Sequence, residues 1–141
     1  MNARFEFGKN FLEIANFKYY AEEAERGNQY NTLFDLRVQS MDGRFTGVGD
    51  FECDIKQIVQ FAGELEEMYD LKRDSVKLES LIGYDQEIEF IFQRNGHITV
   101  YGTITNFTHA MEFEFEADQT ALPPFIKQLR EVLESCGLSG R

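Results

Sequence analysis

Positive charge is scarce. The 141 residues hold 14 lysines plus arginines against 25 acidic residues, a net charge of −11 with histidine neutral. That balance disfavours direct binding to nucleic acid or to an anionic membrane, since both demand a positive patch. It favours solubility and attraction to basic partners. Cysteine is nearly missing, with only Cys53 and Cys136. Two thiols are too few for a disulfide scaffold and suit a reducing, cytoplasmic setting. No run approaches the roughly 18 apolar residues of a membrane span. The opening MNARFEFGKN lacks the apolar stretch of a secretory signal. Tryptophan is absent altogether.

Phenylalanine takes its place, with 14 copies in a chain that is 43% hydrophobic. Such a composition describes a packed globule and not a disordered tail. No convincing repeat, linker or low-complexity tract interrupts it, so residues 1–141 are expected to form a single domain.

Alternation dominates the pattern. FLEIANF (11–17) suits a strand with Leu12 and Ile14 on one face, and 19–30 is polar enough to be mostly loop. TLFDLRVQ (32–39) alternates, and MDGR (41–44) offers an Asp-Gly pair for a two-residue type I′ hairpin. That turn sets Phe34 opposite Phe51, Leu36 opposite Gly49 and Val38 opposite Gly47. Glycines weaken a strand unless something approaches closely; a packed helix is the expected neighbour. DIKQIVQFAGELEEMY (54–69) is a helix capped by Asp54 and Gln57, with a stripe of Ile55, Ile58, Val59, Ala62, Leu65 and Tyr69.

Four strands follow: 76–82, 87–93, 97–105 and 111–116. Between the second and third, a three-residue loop, Arg94-Asn95-Gly96 with Gly96 left-handed, pairs Phe92 with Ile98 and Phe90 with Val100. The alternative two-residue turn would mix the faces. Residues 118–136 begin as a turn and become a helix. Leu122, before proline, is biased away from helical backbone, and Pro123 or Pro124 fits the first turn. Phe125, Ile126, Leu129, Val132 and Leu133 form its stripe, and Gly137 is a natural stop. The expected fold is α+β, a mainly antiparallel sheet of about six or seven strands with two helices packed on one face. A strongly curled sheet or partial barrel is the alternative.

The last strand, MEFEFE, points Met111, Phe113 and Phe115 inward and sets Glu112, Glu114 and Glu116 about 7 Å apart outside. Carrying registers across the hairpins places Glu89, Tyr101 and Glu114 side by side. Glu87, Thr103 and Glu112 flank them on one side, and Ile91, Thr99 and Glu116 on the other. If Ile82 pairs with Ile88, Leu81 joins Glu89 and Glu79 joins Ile91. Threonine and tyrosine then keep glutamates from facing one another directly. Such a face is either simply solvated, resisting edge pairing, or a contact surface. In the second case Tyr101, Leu81 and Ile91 are apolar anchors amid charge that steers a basic partner.

Other chemistry is poorly supported. Glutamates two apart on a flat strand diverge and do not enclose a metal. His97 and His109 fall at opposite ends of neighbouring strands without a local partner. Cys53 shares the inward parity of Phe51 and reads as a buried structural thiol; Cys136 is similar or partly exposed. GVGD (47–50) lies within a strand and lacks the lysine of a phosphate loop. Neither a cofactor nor an enzyme is indicated.

The tail EFEFEADQTALPPFIKQLREVL (112–133) resembles the C-terminal signature of the WapI-type immunity proteins: a Phe/Glu strand, an Asp-Gln-Thr turn, and a helix opened by Leu-Pro and an aromatic residue. Asp118, Gln119, Thr120, Leu122, Pro123 and Phe125 carry the likeness, and the strand-into-helix layout of residues 49–69 is compatible. The resemblance implies a bacterial cytoplasmic antidote that binds a polymorphic or contact-dependent toxin domain. It carries over no functional residues. Two competitors stand beside it: a ligand-binding domain with a Phe-lined pocket in a curled sheet, and a small enzyme using an acidic cleft.

Overall fold

Strand alternation governs most of the chain, and turns with left-handed residues fold it back repeatedly. The computed structural model describes residues 2–81 and 86–138. Strands β1 (Ala3–Phe7), β2 (Asn10–Tyr19), β3 (Thr32–Ser40) and β4 (Phe45–Cys53) form one antiparallel meander. Strands β5 (Ser75–Glu79), β6 (Glu87–Phe92), β7 (His97–Asn106) and β8 (His109–Asp118) form a second. A short helix α1 (Ala21–Glu25) lies between β2 and β3, helix α2 (Ile55–Tyr69) follows β4, and helix α3 (Leu122–Ser135) follows β8. Each half is thus four strands and a long helix, an architectural repeat that no sequence similarity advertises.

The expected single sheet is therefore two sheets. Residues 3–7 supply an extra strand whose Ala3 and Phe5 are buried. The second sheet approaches β4 closely at Gly47 and Gly49. A Cβ on Gly47 would stand 2.6 Å from Met111 Sδ, and one on Gly49 2.2 Å from Ile104 Cγ2. What approaches β4 is thus the second sheet and not a helix. The apolar faces of the two sheets meet where β4 packs on β7 and β8 on β1 and β3. Helix α3 lies against β1, and α2 against β5 and α3. Phe5 sits edge-on to Phe90 at 5.0 Å, and Phe61 and Phe125 complete an aromatic cluster at 5.8 to 6.3 Å. The rings expected to line a ligand pocket in the alternative reading are here packed on one another.

Local readings mostly hold. Asp42-Gly43 turns at φ 56° and 93° and sets Phe34 opposite Phe51, Leu36 opposite Gly49 and Val38 opposite Gly47. Asn95 joins Gly96 in the left-handed region, and Phe92 faces Ile98. The cap of α2 forms as expected: Lys56 N–H donates to Asp54 Oδ1 at 3.0 Å, and Asp54 N–H to Gln57 Oε1 at 2.9 Å. Gly137, at φ +82°, ends α3, with its own N–H donating to Glu134 O and that of Leu138 to Leu133 O.

Three readings are corrected. Leu122 is helical, at φ −69° and ψ −51°, because its fully buried side chain overrides the bias that the following proline imposes. Tyr69 is exposed while Phe61 and Met68 are buried, so the α2 stripe runs nearer Phe61 than its outer members suggested. The short α1 within 19–30 buries no side chain, which left no stripe to read.

Close packing against β4 gives a direct test. Gly49→Ala should lose about 1–3 kcal/mol, the usual effect of overpacking a core, measured by urea denaturation. Combining it with Ile104→Ala should restore part of the loss, whereas an unchanged midpoint would contradict the contact.

Candidate functional site

Burying one face of β5–β8 leaves the other outward, and its chemistry follows from odd–even parity. The β6–β8 registers are those expected: Glu89 stands beside Tyr101 and Tyr101 beside Glu114, with Glu87–Thr103–Glu112 and Ile91–Thr99–Glu116 on either side. Glu112, Glu114 and Glu116 are exposed; Glu87, Glu89, Ile91 and Tyr101 are half-buried. Tyr101 is anchored within this plane, its hydroxyl donating to Glu89 Oε1 at 2.6 Å.

The β5 register differs from expectation. Lys77, not Leu81, pairs with Glu89, and Glu79 pairs with Glu87, not Ile91. Leu81 lies beyond the strand, its N–H donating to Glu52 O at 3.0 Å, and so drops out of the anchor row. Ile82, on which that register was hinged, lies outside the described residues. Glu79 and Glu87 thus face each other directly, and the sequence reading missed what offsets them. Lys77 Nζ lies 3.2 Å from Glu87 Oε2. Its position between Val76 and Leu78 was the available signal, since alternation alone puts it outside.

Electrostatics reflect these partners. Lys77 is raised above its ordinary 10.5, first by the hydrogen bond and then by the charge of Glu87. Tyr101 is raised above 10.0, first by the hydrogen bond to Glu89 and then by desolvation. The opposite sheet is differently built: Glu13 is buried between Arg4, at 3.2 Å, and Arg37, at 3.7 Å, and Arg4 covers the Phe11 ring. There Glu13 is neutralised locally, whereas Glu112, Glu114 and Glu116 on the β5–β8 face are exposed.

The other candidate residues are dispersed. His97 and His109 are exposed at opposite ends of the β7–β8 ladder. Cys53 is fully buried, and its thiol is pushed up to about 12 by burial, then by Asp54 and Glu52. Cys136 is half-buried. Asp118 Oδ1 accepts from Thr120 N–H at 2.9 Å, a structural role ahead of α3. Among the described residues, no three His, Cys, Asp or Glu side chains are grouped to hold a metal. Among the same residues, no helix is long and apolar enough to cross a membrane.

Fold and surface together define an α+β protein of two antiparallel sheets with one carboxylate-rich sheet face. A chain of a guideRNA-binding protein complex bound to a gRNA shares this fold. Its TM-score is 0.54 at 13% identity, over 100% of this chain and 93% of its own. A chain of Trypanosoma bruciei MRP1/MRP2 is similar at a TM-score of 0.48 and 14% identity, over 97% and 85%. No curated protein matches. The immunity protein WapI-like family does, over residues 6–137, and the chain belongs to that family.

The Tyr101–Glu89 bond makes a pH prediction. Because the folded pKa is raised, its contribution is complete below the ordinary value of 10.0 and is lost as pH rises through the raised value. The stability difference between wild type and Tyr101→Phe should therefore shrink on alkaline titration. Glu89→Gln should bring the Tyr101 phenol back toward 10.0 by NMR. A phenol pKa unmoved by Glu89→Gln would refute the coupling.

Proposed function

We propose that this chain is a non-catalytic cytoplasmic antidote that binds and occludes a cognate bacterial toxin domain. Contact is made through the outer face of β5–β8. Family membership supplies the immunity role. The observation that carries the choice of surface is the row Glu89–Tyr101–Glu114, flanked by further glutamates on both sides. Tyr101 and Ile91 offer half-buried apolar area within it. Aromatic residues such as Tyr are enriched at the energetic centre of an interface, with polar groups at its rim.

The surplus of carboxylates suits a basic partner. Toxin domains that act on nucleic acid need positive clefts, and an acidic face is a complementary plug for one. Long-range attraction would raise the encounter rate and be screened by salt over a Debye length of about 8 Å at physiological ionic strength. The likeness to an RNA-bound protein complex extends to fold alone, and a net charge of −11 favours a basic protein over a nucleic acid as the occupant.

Any toxin domain found encoded beside this chain's reading frame is the partner to test. Tyr101→Ala combined with Glu114→Lys should weaken binding by at least about 2 kcal/mol, the threshold for an interface hot spot, read by calorimetry. Association should slow as salt rises. Unchanged affinity in the double variant would place the contact elsewhere, and a rate indifferent to salt would remove charge steering.

A further inference from the structure

A second acidic feature lies at the seam between the sheets, where β4 passes the ends of β6 and β7. Here a cavity of about 300 Å³ is bordered by Asp50, Glu52, Gln86, Thr105 and Phe107. Gln86 is only 7% exposed. Its Nε2 donates to Thr105 O at 3.1 Å, yet among the described residues its Oε1 has no hydrogen-bond partner, and neither has the buried Thr105 Oγ1. Leaving a buried acceptor unpaired is costly, so a fold tolerates it where something else brings the donor.

The surrounding chemistry specifies that donor. Two donors beside it are already engaged, as Ser80 Oγ–H and Leu81 N–H both go to Glu52 O. Asp35 stands directly opposite Asp50 in the β3–β4 ladder, so like charges accumulate at this rim. A positively charged donor relieves both the repulsion and the unpaired oxygen. Size decides against a bare ion: with about 30 Å³ per water, the cavity has room for a whole long side chain. Phe107, 92% exposed at a left-handed turn position, offers a ring face at the entrance. A planar guanidinium, with five donors and an affinity for aromatic faces, matches this set better than a compact, strongly hydrated ammonium.

We infer that the cavity between Glu52, Gln86 and Phe107 receives an arginine side chain of the partner protein. The inference rests on the antidote reading and deepens it. Thr105 continues the outer row of β7, so a partner on the acidic face has the cavity at its edge. One inserted arginine would fix orientation where the charged face alone supplies attraction.

The full chain can be titrated with N-acetylarginine amide and followed by NMR. Saturable shifts should appear at the Gln86 side-chain amide and at Asn106 and Phe107, with the neutral isostere N-acetylcitrulline amide inert. Asp50→Asn with Glu52→Gln should weaken the response about tenfold or more, as expected on losing charge-assisted hydrogen bonds. Gln86→Leu should weaken it without lowering the unfolding temperature. Absent or non-saturating shifts, or shifts indifferent to these substitutions, would overturn the assignment; an equal response to N-acetyllysine amide would overturn the choice of guanidinium. A negative titration in a chain whose toxin affinity still depends on Tyr101 and Glu114 removes the arginine socket alone. A positive titration in a chain that binds no toxin removes the antidote reading instead.

Discussion

The close approach of two sheets at Gly47 and Gly49 is the constraint from which the remaining architecture follows. With no side chain at either position, Ile104 and Met111 of the second sheet press directly onto the β4 backbone. The apolar faces of both meanders then share one core, into which Phe61 and Phe125 bring the two long helices. A larger residue on β4 would wedge the sheets apart and open the aromatic cluster between them. Side chains here are close-packed, and interiors of that kind accommodate little extra volume.

That packing also determines the surface. Because residues alternate across a strand, hiding Ile88, Phe90, Val100, Phe113 and Phe115 obliges Glu87, Glu89, Tyr101, Glu112, Glu114 and Glu116 to face outward. Neutral residues of β7 hold the glutamates of β6 and β8 apart, while Lys77 offsets the direct opposition of Glu79 and Glu87. The first sheet resolves the same problem by enclosing Glu13 between Arg4 and Arg37. It is the carboxylate-rich outer face of β5–β8 that we propose as the docking surface of an immunity protein.

Much of this was legible in the residues, for identifiable reasons. Asp42-Gly43 and Arg94-Asn95-Gly96 carry turn chemistry that agrees with the hydrophobic alternation on both sides, so those registers are doubly determined. The link from β5 to β6 has no such signature. Its actual pairing differs from the expected one by an even number of residues, which keeps every side chain on its proper face. Alternation cannot detect such a slip. Parity likewise separates inside from outside without saying what fills the inside. The two glycines signalled a close neighbour, yet a second sheet and a helix would leave the same mark. The cavity beside Gln86 was invisible for a related reason, as its walls come from β3, β4, β7 and the residues flanking β5 and β6, and meet only in three dimensions.

Hydrogen–deuterium exchange of the complex with the proposed cognate toxin domain tests the central claim most directly. The account predicts that slowed exchange on binding concentrates in residues 87–91, 99–105 and 112–116, with little change in β1, β2 or the helices. Protection centred on the Arg4–Glu13–Arg37 face, with β6–β8 exchanging as in the free protein, would contradict it.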